Sequence, residues 1–188
     1  MGNRGNLHGR GKKILRQWKS KAWVTCLLKF KGVKRPVFAP GLYSELFFLD
    51  EATAFAAGHR PCNYGQRERS SLFKKAWFDA NGARTAGAPE TLKTLDEALH
   101  ADRVTATGEK AVFKHPAGQL PLGTMFKWHG SALLCSREGF LEWSFGGYRE
   151  PQDKPSLDDT VSVLTPRSVV EAFRRGFEPC TLGMPSRS

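Results

Sequence analysis

The sequence predicts an α+β fold, with small mixed or antiparallel sheets and three to five helices. Three observations lead there. Apolar residues recur at helical spacing in the middle of the chain, at Leu72, Phe73, Ala76 and Trp77 and again at Leu92, Leu95, Ala98 and Leu99. After Val104 the pattern shortens to brief strand-like runs separated by glycine-containing turns. The composition, 40% apolar and 25% charged over 188 residues with 13 Phe and 5 Trp, suits one folded domain with a sizeable core.

Residues 1–11 carry four glycines and are expected to be flexible or wrapped on something. Ile14, Leu15 and Trp18 then have helical spacing, with Lys12, Lys13, Arg16 and Lys19 elsewhere on the cylinder, so a helix is expected over 12–21 and Trp18 should pack inward. Ala22 to Phe30 alternates like a strand, with Ala22, Val24, Cys26, Leu28 and Phe30 on the better apolar face and Trp23 on the other. Gly32 to Pro36 is a turn, and Val37-Phe38 and Tyr43 to Leu49 are further extended segments around the Pro40-Gly41 turn. Asp50 is a suitable N-cap for a short helix from Glu51 to Ala57, and Gly58 is suited to stop it. Helices follow over Gln66 to Phe78, closed by Asn81-Gly82, and over Glu90 to Asp102. Strands are predicted at Val112-Phe113, Thr124 to Trp128, Ser131 to Cys135, Phe140 to Ser144 and Val161 to Leu164, with 146–160 a loop. A last helix starts at Pro166 and ends before Gly176. The expected core comprises Phe47, Leu49, Ala54, Ala57, Trp77, Leu133, Leu141 and Val163.

Charge divides the chain. Residues 1–44 hold 11 of the 29 basic residues and no acid; the other 18 balance all 18 acids. A neutral body with a cationic end points to a polyanionic partner, and a division into a basic arm with the first helix and strand (1–35) and a body (36–188) follows. The contact residues expected on this basis are Arg4, Arg10, Lys12, Lys13, Arg16, Lys19, Lys21, Lys31, Lys34 and Arg35. Cations interleaved with aromatics suit nucleic acid, bound mainly through phosphates and with little sequence preference.

Two stretches, Gly58-His59-Arg60-Pro61-Cys62 and Gly176-Phe177-Glu178-Pro179-Cys180, share Gly-x-x-Pro-Cys. Two helices that end in a glycine with a proline just beyond will look alike, and a duplicated strand–helix unit is the alternative.

The run from Leu46 to Cys62, Leu-Phe-Phe-Leu-Asp-Glu-Ala-Thr-Ala-Phe-Ala-Ala-Gly-His-Arg-Pro-Cys, resembles the second half of the zinc-binding domain of Ada-type DNA-repair proteins. Together with the Gly2-Asn3-Arg4-Gly5 start and the Leu164 to Pro179 unit, it also resembles an uncharacterised bacterial protein family. The Ada resemblance implies a strand, a helix and a turn presenting a C-x-x-C half-site, and an association with DNA repair or processing. Here the second cysteine of that half-site is Gly65 and no cysteine lies between Tyr43 and Leu49, so the ligand spacing that zinc needs is missing. No metal and no cofactor is expected. Should zinc bind nonetheless, Cys62, Cys180 and a histidine are the first ligands to consider, with Cys26, Cys135 and His129 as further donors.

Other chemistry is weakly marked. There is no Walker loop, no G-x-S-x-G elbow and no H-E-x-x-H. The alternative to a binding protein is a hydrolase or nuclease acting on nucleic acid through Glu45 and His59, with His8 as a third candidate; another is an interaction subunit for an acidic protein partner. Cys26, Cys62, Cys135 and Cys180 stand far apart and form no redox C-x-x-C, so a cytoplasmic protein with reduced thiols is expected. No signal-type apolar stretch opens the chain, the Gly- and Lys-rich start is a poor transit peptide, and no run is long enough to span a bilayer, so no membrane partner is expected.

Overall fold

The computed structural model describes residues 1–28 and 36–182. Among them are four α-helices, α1 (Glu51–Ala56), α2 (Arg67–Asn81), α3 (Leu92–Arg103) and α4 (Arg167–Arg174), and nine strands in two sheets. The α+β class predicted from the sequence is the one observed.

The larger sheet is antiparallel throughout. Its strands are β4 (Phe113–Pro116), β5 (Met125–Trp128), β6 (Ser131–Ser136), β7 (Gly139–Ser144), β8 (Gly147–Arg149) and β9 (Thr160–Val163), in the order β4-β9-β5-β6-β7-β8. Alternation gives it two apolar faces. On one, Met125, Leu134, Leu141 and Tyr148 meet Ala52 and Ala56 of α1, whose small side chains let the helix lie close. On the other, Phe126, Leu133, Val161 and Val163 meet Ala117 and Val170 of α4. A second core joins the helices: Phe55, Phe73, Trp77, Leu95, Leu99, Val169 and Phe173 pack together. Both α1 and α4 therefore bridge the sheet to the helical core.

Cap chemistry explains the helix ends. The Asp50 carboxylate accepts from the Thr53 N–H at 2.8 Å and the Thr53 hydroxyl oxygen accepts from the Asp50 N–H at 3.0 Å, a reciprocal box that starts α1. Tyr148 donates its hydroxyl to the other Asp50 oxygen at 2.8 Å and so ties this cap to the sheet. At the far end Gly58 adopts φ +81°, and the Gly58 and His59 amides close back on the carbonyls of Phe55 and Ala54. The end of α4 repeats this, with Gly176 at φ +92° and the Gly176 and Phe177 amides bonded to Phe173 and Ala172. The repeated sequence is thus one glycine-closed helix ending used twice. The segments part company afterwards. Arg60–Pro61 forms a strand, β3, whereas Glu178–Pro179 forms none, and Cys180 lies exposed with its amide bonded to Glu51.

The small sheet is where sequence expectation and structure differ most. Its strands are β1 (Gly2–Asn3), β2 (Val24–Thr25) and β3, each of two residues, with β1 antiparallel and β3 parallel to β2. It joins residues from both sides of the expected boundary at 35, so arm and body are not separate units. Residues 1–8 are not a loose tail: Gly2, Leu7 and His8 are buried, and Gly2 also bridges to Leu46. The helix expected over 12–21 does not form. Gly11 and Lys12 take left-handed backbone angles, which interrupt a right-handed helix, and Ile14 and Leu15 are exposed. Only Val24 and Thr25 of the expected 22–30 strand are extended and paired; Lys29 and Phe30 lie outside the described residues, as do most of the turn at 32–36. Neither Val37-Phe38 nor Tyr43 to Leu49 forms a strand, and Phe47, expected in the core, is 61% exposed. Leu49 and Ala57 are half-buried, and Leu72, expected to face inward on α2, is exposed. The loop expected at 146–160 contains β8. Ala54, Trp77, Leu133, Leu141 and Val163 are buried as expected.

Candidate nucleic-acid interface

Residues 4–20 fold back on themselves. The Arg4 carbonyl accepts from the Lys19 and Ser20 amides, the Leu7 carbonyl accepts from the Leu15 amide at 2.8 Å, and the Gly9 amide donates to Lys13 at 3.0 Å. The loop so made carries Arg10, Lys12, Lys13, Arg16 and Lys19, with Lys21 just past its base. All six are exposed, and none is in an ion pair among the described residues. That contrasts with the body, where Arg60, Arg69, Arg84, Arg137 and Arg149 each hold a carboxylate. Lys31, Lys34 and Arg35 lie outside the described residues.

Arg4 has a different place. Its Nε donates to His59 Nε2 at 3.2 Å, one Nη donates to the Ala57 carbonyl at 2.9 Å, and the guanidinium lies 3.7 Å from the Trp23 ring centre. It props the loop on the body and does not belong to the exposed cationic surface. Arg103 of α3 stands over the same ring at 4.1 Å, donating to the carbonyls of Gly58 and Lys21. Burial pushes both guanidinium groups down, Arg4 to about 10 and Arg103 to about 9, so both remain charged at neutral pH. Trp23, assigned from the sequence to the poorer strand face, is 4% exposed and anchors this cluster; Trp18, expected in the core, is half-buried and leans edge-on against His100 at 5.4 Å.

His59 is fully buried between these cations. Burial, and then the charges of Arg4 and Arg103, hold its imidazole well below the usual histidine range, so it is neutral. Because Arg4 donates to Nε2, that nitrogen carries the lone pair and the proton sits on Nδ1.

Of the three catalytic candidates, His8 and Glu45 meet around Phe38, and His59 stands apart from them among cations. The charges that act on His59 are the cations Arg4, Arg103 and the Met1 amino group. His8 contacts Ser44 Oγ through Nδ1 at 2.6 Å and stacks on Phe38 with ring centres 5.0 Å apart, while Glu45 accepts from the Phe38 amide at 2.9 Å. Ser44 is fully buried and also accepts from the Leu7 amide, so this cluster pins the loop base.

The cysteines separate into three environments. Cys135 is buried in the sheet core, where desolvation pushes its thiol up to about 12. Cys180 is exposed, with its amide bonded to Glu51. Cys62 faces Cys26, a pairing that sequence reasoning missed; the only signal was the placement of Cys26 on an expected strand. Among the described residues no cluster of three metal-capable side chains exists, and His129 is held by Asp153 at 2.6 Å. No helix among them is long and apolar enough to cross a membrane.

No family model, curated protein or solved structure matches the chain.

Proposed function

We propose that this protein binds nucleic acid, DNA more readily than RNA, through phosphate contacts made by the loop around residues 10–21. The observation that carries the reading is the set of six exposed basic side chains on a folded loop with no acid among residues 1–44 to neutralise them. Each side chain that displaces a condensed counterion from a phosphate gains affinity from its release, without reading a base. Partly exposed Trp18, next to Lys19 in sequence, supplies one aromatic face for stacking. The preference for DNA, a place in repair or processing and a cytoplasmic setting rest on the resemblance of residues 46–62 to the Ada-type domain and on the cysteine pattern.

Anisotropy titrations with labelled single-stranded DNA, duplex DNA and matched RNA test this. Neutralising Lys12, Lys13, Arg16 and Lys19 to Gln together should weaken binding by up to roughly 10³–10⁴-fold at about 0.1 M salt, because each lost phosphate contact forfeits about 0.9 of a decade there. The four side chains are exposed, so the fold should be unaffected. Equal displacement by polyglutamate would favour an acidic protein partner, and strand cleavage with a divalent metal would favour the hydrolase reading.

A further inference from the structure

The parallel pairing of β2 with β3 sets Val24 opposite Arg60 and Thr25 opposite Pro61. One step further along the same register stand Cys26 and Cys62, and the Cys62 amide still bonds to the Thr25 carbonyl at 2.9 Å. Neighbouring strands lie about 4.8 Å apart and opposed residues point to the same face, a separation within the range that a disulfide spans. The pair is reduced here, with the Cys26 thiol donating to the Cys62 sulfur.

The two thiols are not equivalent. Besides the Cys26 donor, the Cys62 sulfur accepts from the backbone amides of Gly65 and Tyr64, with the Arg60 guanidinium nearby; together these hold it down at about 5. Gly65, which stands where the resembled domain has a second thiolate, thus contributes an amide to the first. Cys26 is pushed up, first by its role as donor to Cys62 and then by burial. Cys62 also lines an open basin of about 680 Å³ with Arg60, Asn63, Tyr64 and Arg67. Arg60 is committed to Asp96, whereas Arg67 is exposed at the start of α2. A nucleophilic thiolate at the wall of a cationic basin, with a second thiol behind it, has the layout of a two-cysteine exchange site.

We propose that Cys62 and Cys26 form a thiol–disulfide exchange site for small anionic disulfides, with Cys62 as the attacking and Cys26 as the resolving thiol. In the first step the Cys62 thiolate attacks one sulfur of the substrate disulfide; the new S–S bond forms, the old one breaks, and one thiolate leaves and takes a proton from water. In the second step Cys26 gives its proton to water and attacks the Cys62 sulfur, the internal disulfide forms, and the second thiolate leaves. The two protein thiols are oxidised by two electrons and one substrate disulfide is reduced to two thiols. Capping Cys62 removes its negative charge, which frees the Cys26 proton for the second step.

The test uses glutathione disulfide as probe and a Cys180→Ser background, because Cys180 is the exposed thiol. Intact mass should show loss of two hydrogens with no lasting adduct, reversed by dithiothreitol. Adding Cys26→Ser should trap one glutathione on Cys62, and Cys62→Ser, with its fold checked by circular dichroism, should leave Cys26 unmodified. At about pH 6 Cys62 should alkylate roughly ten-fold faster than an ordinary thiol, the gain in thiolate exceeding the loss in nucleophilicity. Arg67→Ala should slow reaction with glutathione disulfide several-fold and leave reaction with uncharged hydroxyethyl disulfide unchanged. A pair that stays reduced, a stable adduct on the intact pair, or modification of Cys26 at the same rate without Cys62 would overturn the proposal.

Discussion

His59 shows how one side chain can join the basic loop to the body. Its ring accepts from Arg4, touches Phe48 with centres 4.7 Å apart and lies 5.7 Å from Trp23, so three segments distant in sequence meet on it. Its titration should make the protein acid-sensitive. In the unfolded chain the imidazole takes a proton below its ordinary value of 6.5, whereas in the folded protein it stays neutral to a much lower pH. The unfolded state therefore binds more protons, and stability from this group is complete above about pH 6.5 and falls by roughly 1.4 kcal/mol per pH unit below it until the folded value is reached. Urea midpoints at pH 7.5 and 5.5 should differ for the wild type, and His59→Gln, which keeps an acceptor for Arg4, should shrink the difference; equal shifts in both proteins would contradict this. The neighbouring Arg60–Asp96 pair makes a second case. It is buried and bidentate at 2.8 and 2.7 Å, so Asp96→Ala leaves a buried guanidinium unpaired and should cost about 3–5 kcal/mol, read from the same denaturation curves. None of these meetings was legible in the sequence, since the partners of Arg4, Trp23 and His59 lie dozens of residues away and no periodicity marks them.

Individual elements were legible in proportion to how local their causes are. The helix after Asp50 could be read because its box, its alanines and Gly58 are contiguous, and the β6–β7 hairpin because its turn is written in Arg137-Glu138-Gly139. The two-residue strands β1 and β3 have no alternation to read, and of the alternating 22–30 segment only Val24–Thr25 pairs, as β2; these strands exist because distant backbones meet. The apolar spacing of Ile14, Leu15 and Trp18 misled for a related reason, since two left-handed residues at Gly11 and Lys12 turn that segment into a loop. Phe47 was misplaced with its strand: the expected extended segment from Tyr43 to Leu49 pairs only through a single bridge at Leu46. The two aromatic positions therefore separate in their expected energetics. Trp77, fully buried in the helical core, should cost about 3–5 kcal/mol when replaced by Ala. Phe47→Ala, at an exposed position, should change stability by no more than about 0.5 kcal/mol. Thermal melts of the two variants check this, and similar losses in both would place residue 47 in the core after all.

Across the whole molecule, the charge asymmetry that is plain in the sequence becomes a structural one. The body pairs Arg60, Arg69, Arg84, Arg137 and Arg149 with carboxylates, and the small sheet ties the acid-free N-terminal residues to it through β3. Deleting residues 1–8 removes β1 from that sheet and the Arg4 contacts with His59 and Trp23, so it should lower the unfolding midpoint as well as weaken binding; an unchanged midpoint in a thermal melt would show the segment to be peripheral. The loop around residues 10–21 is proposed to engage phosphates. The most direct test is the salt dependence of DNA affinity, measured for the wild type and for the variant with Lys12, Lys13, Arg16 and Lys19 replaced by Gln. The wild type should show log affinity falling linearly with log salt, at about −0.9 per phosphate engaged, and the variant a slope shallower by up to about 3.6. Parallel lines for the two proteins, or an affinity indifferent to salt, would contradict it.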